Sequence, residues 1–309
     1  MEAPRSVSIV IVNWNAGEHL LACLRSVAEH SLPFQCDVLV IDNASTDGSA
    51  ERALEEFPWA RVIFNEENRG LAPGNNQGIS ESTGDAILIS NPDIIFREGS
   101  IAALLEVLER RPRAAFAIPR LLHPDGSLQT GAGDLPTVTD ALRGRRSAYE
   151  RADDGTRRAF WWDGWAHDSE RRIGHGAEAA YLVRREALDE IGLQDEHFIL
   201  DWEGVDWAAR AADAGWEVWF TPRSEIVHAG GASISQISMR WVLSTHRGMA
   251  RYMRRHLGLR GWLAQPLVAG RAVAKIASGL GPEYGHADRG QTAAGSQPTG
   301  ASVGDDALP

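Results

Sequence analysis

Cysteine is scarce. Of 309 residues only Cys23 and Cys36 are cysteines, so no disulfide framework supports the fold. A chain of this length buries enough surface to fold without one. Cys23 falls on the apolar face of a helical pattern and Cys36 lies just ahead of a strand pattern. With no CxxC spacing, both read as reduced thiols, which suits a reducing compartment. Long hydrophobic runs are missing too. The run VSIVIV (7–12) is broken at Asn13, and no stretch reaches the roughly 20 apolar residues that span a bilayer. The opening MEAPRSVSIVIVNW lacks the order of a signal peptide. The expectation is a cytoplasmic protein that does not cross a membrane. Phosphate-binding glycine motifs are also absent. The first strand pattern is followed by VNWNAG rather than GxGxxG, and there is no Walker A lysine motif. A phosphate ligand would therefore need another source of positive charge.

What is present is an ordinary globular composition, 43% apolar and 24% charged. The net charge of −11 is unevenly spread: from Arg240 to Lys275 there are eight Lys or Arg and no acid, so the rest is eight charges more negative. An acidic body argues against nucleic acid as a partner.

Five short apolar runs, VSIVIV (7–12), DVLVI (37–41), RVIF (61–64), AILIS (86–90) and AAFAI (114–118), alternate with amphipathic segments near 16–30, 48–57, 73–82 and 99–110. Runs apolar on both faces suit strands inside a mainly parallel sheet, and the alternation predicts a three-layer α/β/α domain. Residues 120–176 read as a partly irregular excursion, with Trp161, Trp162 and Trp165 clustered. Helices are expected near 184–191 and 203–214, a short strand at EVWF (217–220), and helices near 236–257 and 260–278. The Gly/Ser/Thr/Pro-rich tail 279–309 is expected to be disordered.

Polar residues gather where the strand patterns end. Asn13 follows the first. Asp42 closes the second, with Asn43, Ser45 and Asp47 in the turn. Asn65 and Asn68 follow the third, and Asn91 and Asp93 the fourth. One such residue would be turn or cap chemistry. Four strand ends in a row point to a ligand at the carboxyl edge of the sheet. Asp93, in ISNPDI, stands where a carboxylate-held divalent metal could neutralise phosphate.

Six segments in order, VSIVIVNWN, VLVIDNASTDGS, NEENRGLAPGNNQGI with ILISNPD, GHGAEAAYLVRREAL, FILDWEGVDWAARAADAGW and IVHAGGAS, resemble glycosyltransferase family 2, with rhamnosyltransferase-like members most similar, over residues 6–235. The resemblance implies a GT-A fold over 1–235, with a nucleotide-sugar half (1–120) and an acceptor half (121–235), then basic C-terminal helices (236–278). It implies an inverting enzyme that takes sugar from a nucleotide-diphosphate donor, dTDP-L-rhamnose or a UDP-sugar, to a glycan or lipid-linked saccharide for cell-surface polysaccharide. By the same resemblance Asn13, Asn15, Asp42, Asn43 and Asp47 seat the nucleoside. Asn68, Gly70, Asn75 and Asn76 pass near the ribose and diphosphate, with the 74–78 glycines letting backbone approach ligand. Asn91 takes the place of the first acid of a DxD element, Asp93 holds Mg²⁺ or Mn²⁺, and His228 is a second metal ligand or binds the diphosphate. Ser233 lies in the neighbouring loop.

LDWEGVDW carries a second group of acids, Asp201, Glu203 and Asp206. Glu203 and Asp206 share a helix face, and acids also favour a helix N-terminus without any catalytic role. Relatives usually have Glu-Asp where this chain has Glu203-Gly204. The expected general base is therefore Glu203, with Asp201 and Asp206 behind it. Trp161, Trp162, Trp165 and Glu178 are expected at the acceptor pocket, with Asp163 or His167 as hydroxyl partners. The alternative is that two of the three tryptophans fill core. The basic helices suit either an ordinary packed pair or a peripheral anchor on the inner face of an anionic membrane. Two other functions remain open: a catalytically impaired nucleotide-sugar-binding relative, and a nucleotidyltransferase, for which VNWNAG lacks the expected basic glycine loop.

Overall fold

The computed structural model describes residues 6–30, 35–143, 165–199, 201–229 and 239–278. The elements are β1 (Ser6–Asn13), α1 (Glu18–Ala28), β2 (Gln35–Asp42), α2 (Ser49–Glu56), β3 (Ala60–Phe64), α3 (Leu71–Glu81), β4 (Ala86–Ser90), β5 (Ile94–Phe96), α4 (Ser100–Arg110) and β6 (Ala114–Leu122). There follow β7 (Leu128–Gln129), β8 (Ala132–Gly133), α5 (Val138–Arg143), β9 (Arg171–Ile173), β10 (His175–Gly176), β11 (Ala180–Arg184), α6 (Arg185–Ile191), α7 (Glu203–Asp213), β12 (Glu217–His228), α8 (Met239–His256), α9 (Gly258–Leu263) and α10 (Gln265–Ser278).

The main sheet runs β3-β2-β1-β4-β11-β6-β12-β5. The first four strands are mutually parallel, as their unbroken apolar character predicts. β11 inserts antiparallel between β4 and β6, so β6 does not lie directly beside β4 as a fifth parallel neighbour. β6 and β12 run the same way as β1, and β5 closes the edge antiparallel to β12. EVWF is the start of a twelve-residue strand, not a short one. It crosses two register shifts, one between Thr221 and Glu225, and the longer strand carries His228 to the site.

Chain order turns from β1–β2–β3 on one side to β4 on the other, so the switch between β1 and β4 opens a crevice at their carboxyl ends. α3 covers β1 at close range. A Cβ on Gly78 would sit 2.2 Å from Val10 Cγ1, and one on Gly74 2.9 Å from Val12 Cγ1. These glycines serve helix-to-sheet packing, not backbone approach to a ligand.

One apolar cluster lies under α1 and α4, a second under α6 and α7. A third joins α7 to α8–α10 through Phe198, Trp202, Val205, Met249, Tyr252 and Met253. The C-terminal helices therefore share a core with the sheet domain. The tail 279–309 falls outside the described residues.

Candidate active site

The carboxyl edge gathers most of the polar residues that the strand ends promised. Register places Asn13 opposite Asp42, and Ile11 opposite Ser90, so Asn13, Asp42 and the Asn91–Asp93 turn leave the sheet at one level. Asn13 Nδ2 donates to Asp42 Oδ1 at 2.7 Å and lies 3.0 Å from Ser45 Oγ and Ser49 Oγ. Asp42 also accepts from the Ser45 amide at 3.0 Å and the Ser45 hydroxyl at 2.6 Å. A carboxylate has about four acceptor sites, so these three bonds leave Asp42 one for a ligand. Asn15, in the left-handed region at φ 52°, accepts from the Thr46 amide at 2.7 Å. Asp47 accepts from the amides of Gly17 and Ser49 at 2.8 and 3.0 Å. Burial works against its charge, but the Ser49 hydroxyl at 2.6 Å and these two amides hold its pKa below the usual range. Together they pin the 43–49 loop over β1 and β2. Asn43 Nδ2 donates to Gly70 O and its Oδ1 accepts from Asn65, both at 3.0 Å, while Asn68 Oδ1 accepts the Gly70 amide at 2.9 Å. The 65–70 loop is thereby tied to the same rim.

Asn75 and Asn76 correct an expectation. They are 2% and 6% exposed. Asn75 donates to Gln194 Oε1 at 3.0 Å. Asn76 donates to Gln194 O and Glu196 Oε1 and accepts the Gln194 amide, at 2.9 to 3.0 Å. Their amides join α3 to the loop after α6, leaving little for a diphosphate.

Asp93 and His228 do meet. β5 pairs with β12 so that Ile94 faces His228, and Asp93 Oδ1 comes within 3.4 Å of His228 Nε2. His228 Nδ1 donates to Gln129 Oε1 at 2.8 Å, fixing the ring with Nε2 toward Asp93. Gln129, on the short β7, gave no sequence signal. Burial opposes ionisation of Asp93, but the hydrogen bond and charge of His228, helped by His19 of α1, hold its pKa below the ordinary value. Asn91 stands beside it, its amide donating to Ala179 O at 2.8 Å.

That last bond links the rim to the acids. β11 is antiparallel to β4, Ala180 opposite Ser90, so Glu178, just ahead of β11, lies at the carboxyl edge. Glu178, Asp201 and Glu203 converge there. Burial, then Glu203 and Asp201, drives the Glu178 pKa well up. Burial and Asp201 raise Glu203 to about 8. Asp201, raised by burial, accepts from Thr245 Oγ1 of α8 at 2.9 Å. Asp201 and Trp202 both have positive φ, 62° and 74°. Two consecutive non-glycine residues in that region cost about 1–3 kcal/mol each, a strain that collects at functional sites.

Asp206 does not join them. It is 0% exposed, accepts from Arg210 Nε at 2.9 Å, meets His256 Nε2 at 2.8 Å, and has Arg255 at 3.3 Å. It clamps α7 to α8, and is no base. Trp165 is also corrected. It is 8% exposed, stacked on His167 at 4.4 Å and edge-on to Phe220 at 4.9 Å, so it fills core. His167 is 1% exposed in the same packing. Trp161, Trp162, Asp163 and Ser233 lie outside the described residues.

The twisted mixed sheet, with its switch-point crevice lined by an acid–histidine pair and a buried carboxylate cluster, is that of a GT-A glycosyltransferase. Solved structures agree on the fold: GalNAc-T7 with UDP, GalNAc and Mn²⁺ superposes at TM-score 0.59 with 18% identity, covering 82% of this chain and 48% of that one. The Pyrobaculum calidifontis mannosyltransferase PcManGT, with GDP-Man and Mn²⁺, gives 0.55 and 17%, covering 91% and 77%. The family model for glycosyl transferase family 2 matches residues 8–191, and the chain belongs to that family: it is a glycosyltransferase. It is 30% identical over 278 residues, 84% of this chain and 87% of the relative, to the N-acetylglucosaminyl-diphospho-decaprenol L-rhamnosyltransferase of Mycobacterium tuberculosis. It is 26% identical over 218 residues to glycosyltransferase AglE of Haloferax volcanii, covering 69% and 64%.

Proposed function

We propose that the enzyme moves one sugar, L-rhamnose from dTDP-rhamnose or a sugar from a UDP donor, onto a hydroxyl of a glycan or lipid-linked saccharide, with inversion at the anomeric carbon. One observation carries the reading. Asp93 with His228, and Glu178 with Glu203, share a single rim of the sheet, in a chain 30% identical over most of its length to a rhamnosyltransferase whose name specifies a lipid-linked N-acetylglucosamine.

The 43–49 and 65–70 loops, locked by Asn13, Asp42, Asp47 and Asn43, form the nucleoside end. Trp14, 49% exposed beside them, offers a flat ring for stacking. Asp93 and His228 suit a divalent cation, Mg²⁺ or Mn²⁺: the acid stays ionised, and the imidazole is oriented by Gln129. Among the described residues no group of three or more His, Cys, Asp or Glu is placed to hold a metal ion by itself. The protein would supply two donors and the diphosphate and water the rest, as a hard cation prefers. When bound, the cation neutralises charge on the leaving diphosphate.

The lipid side has its own support. Leu259, Trp262, Leu263 and Leu267 of α9 and α10 are 60% to 73% exposed, in a segment with no acid from Arg240 to Lys275. An apolar strip flanked by arginine fits an anionic membrane surface. No described helix is long and apolar enough to cross a membrane.

The test is thermal stabilisation by a panel of nucleotide-sugars with and without Mn²⁺, followed by transfer to a lipid-linked N-acetylglucosamine acceptor. The reading expects metal-dependent stabilisation by one donor, product of inverted configuration, and loss of both in Asp93→Ala. Binding without turnover on any acceptor would favour the catalytically impaired relative. Metal-dependent stabilisation retained in Asp93→Ala would remove Asp93 from the metal site.

A further inference from the structure

Gly204 is the position that gives the acid cluster its shape. A Cβ there would lie 2.6 Å from Glu178 Cγ, 2.7 Å from Cδ and 3.0 Å from Oε1. The Glu178 side chain therefore lies across the bare Cα of Gly204, and any side chain at 204 would have to evict it. The amides of Gly204 and Val205, at the start of α7, favour the charged form of that carboxylate. Beneath it, Glu203 is 1% exposed and its Oε2 has no hydrogen-bond partner, an open valence on a buried acid that calls for an occupant. A cavity of about 20 Å³, room for one water, is lined by Glu178, Tyr181, Gly204 and Trp207 among others.

We propose that Glu178 is the proton acceptor for the incoming hydroxyl, its carboxylate occupying the space that the absent side chain of Gly204 leaves open and resting on Glu203. The assignment rests on the transfer reaction proposed above. It moves the base from α7, where Glu203 was expected to serve, to the chain just ahead of β11. The two acids differ in access. Glu203 is sealed beneath the turn, while Glu178 keeps partial exposure at the rim beside Asn91 and Asp93. Asp201 is engaged by Thr245 and Asp206 by Arg210 and His256. In the step, the acceptor oxygen forms a bond to the anomeric carbon as its O–H bond breaks. The proton goes to the Glu178 carboxylate. The bond from the anomeric carbon to the diphosphate oxygen breaks with its electron pair leaving on the diphosphate. Burial and mutual repulsion raise both carboxyls, so the Glu178–Glu203 pair holds a proton between them and carries a single negative charge.

The experiment is a carboxylate relocation. Glu178→Gln, Glu178→Gly and the double variant Glu178→Gly/Gly204→Asp are compared with wild type in full-length protein. The readouts are thermal midpoint, Mn²⁺-dependent donor stabilisation, and nucleotide release from donor with water or saccharide as acceptor. The expectation for Glu178→Gln and Glu178→Gly is donor stabilisation as in wild type and turnover lowered about 10²–10⁴-fold. The double variant, with its acid returned to the same space from the helix, should recover at least tenfold over Glu178→Gly. Near-normal turnover in Glu178→Gln overturns the proposal. So does a double variant that folds and binds donor yet stays as slow as Glu178→Gly. Wild type that binds no nucleotide-sugar and releases no nucleotide defeats the transfer reading itself, and the role of Glu178 falls with it. Normal donor binding in the variants separates the two failures.

Discussion

Burial and the neighbouring Asp201 raise the Glu203 carboxyl from its ordinary value of 4.5 to about 8. The groups facing it are Glu178, raised in the same direction, Asp201 and the Tyr181 phenol. A group that binds its proton more tightly when folded stabilises the native state fully below pH 4.5 and loses that contribution as pH rises toward 8. Thermal stability should therefore fall between about pH 5 and pH 8.5. Glu203→Gln, uncharged throughout, should flatten that fall and melt above wild type at pH 8.5, as scanning calorimetry across that range would reveal. An unchanged slope would mean that Glu203 is not held neutral in the fold. Asp206 is the opposite case, a fully buried acid with Arg210, His256 and Arg255 around it. Removing it strands those groups, so Asp206→Ala should lower stability by about 3–5 kcal/mol. Urea unfolding measures this, and a loss under 1 kcal/mol would show the clamp between α7 and α8 to be weak.

At the scale of elements, the strand runs and helical patterns of the first 110 residues were legible because each carries its own periodicity. α1, α2, α3 and α4 fall within two residues of their expected starts. β11 was not legible as an inserted antiparallel strand. AYLVR is apolar on both faces, like its parallel neighbours, and pairing direction leaves no mark in such a run. One helix was expected over 260–278 where the structure has two, α9 and α10, and which face each buries is decided by packing on α8. Ala264 and Val268 go inward, and Leu259, Trp262 and Leu263 stay out. That outward face supports a prediction that belongs to the element. Trp262→Glu/Leu263→Glu, at positions 60% and 70% exposed, should leave the melting temperature within a degree or two. It should reduce co-sedimentation with phosphatidylglycerol vesicles at least several-fold. Equal sedimentation of variant and wild type would remove this face from membrane contact.

For the whole molecule, the third core cluster means that the sheet domain and the C-terminal helices fold as one. Trp202 packs against Tyr252 with ring centroids 5.3 Å apart, Thr245 holds Asp201, and a Cβ on Gly248 would press on Trp202 at 3.1 Å. Truncation after residue 235 should therefore yield no cooperative unfolding transition, and a sharp transition in that fragment would show the helices to be dispensable. The same long-range packing explains what the candidate site hid. Asn13, Asp42 and His228 end strands and Asp93 lies in the turn just past one, and a strand end announces itself. The contact of Glu178 with Gly204 joins segments 26 residues apart, and no local pattern encodes it. Cys23 belongs to that same architecture. It is fully buried on α1, its thiol is pushed to about 12, and its sulfur lies 4.0 Å from the carbonyl oxygen of Asn91. An alkylating reagent can reach this sulfur only when the packing around α1 opens, so the rate of Cys23 labelling is a clock for local opening beside the Asn91–Asp93 turn.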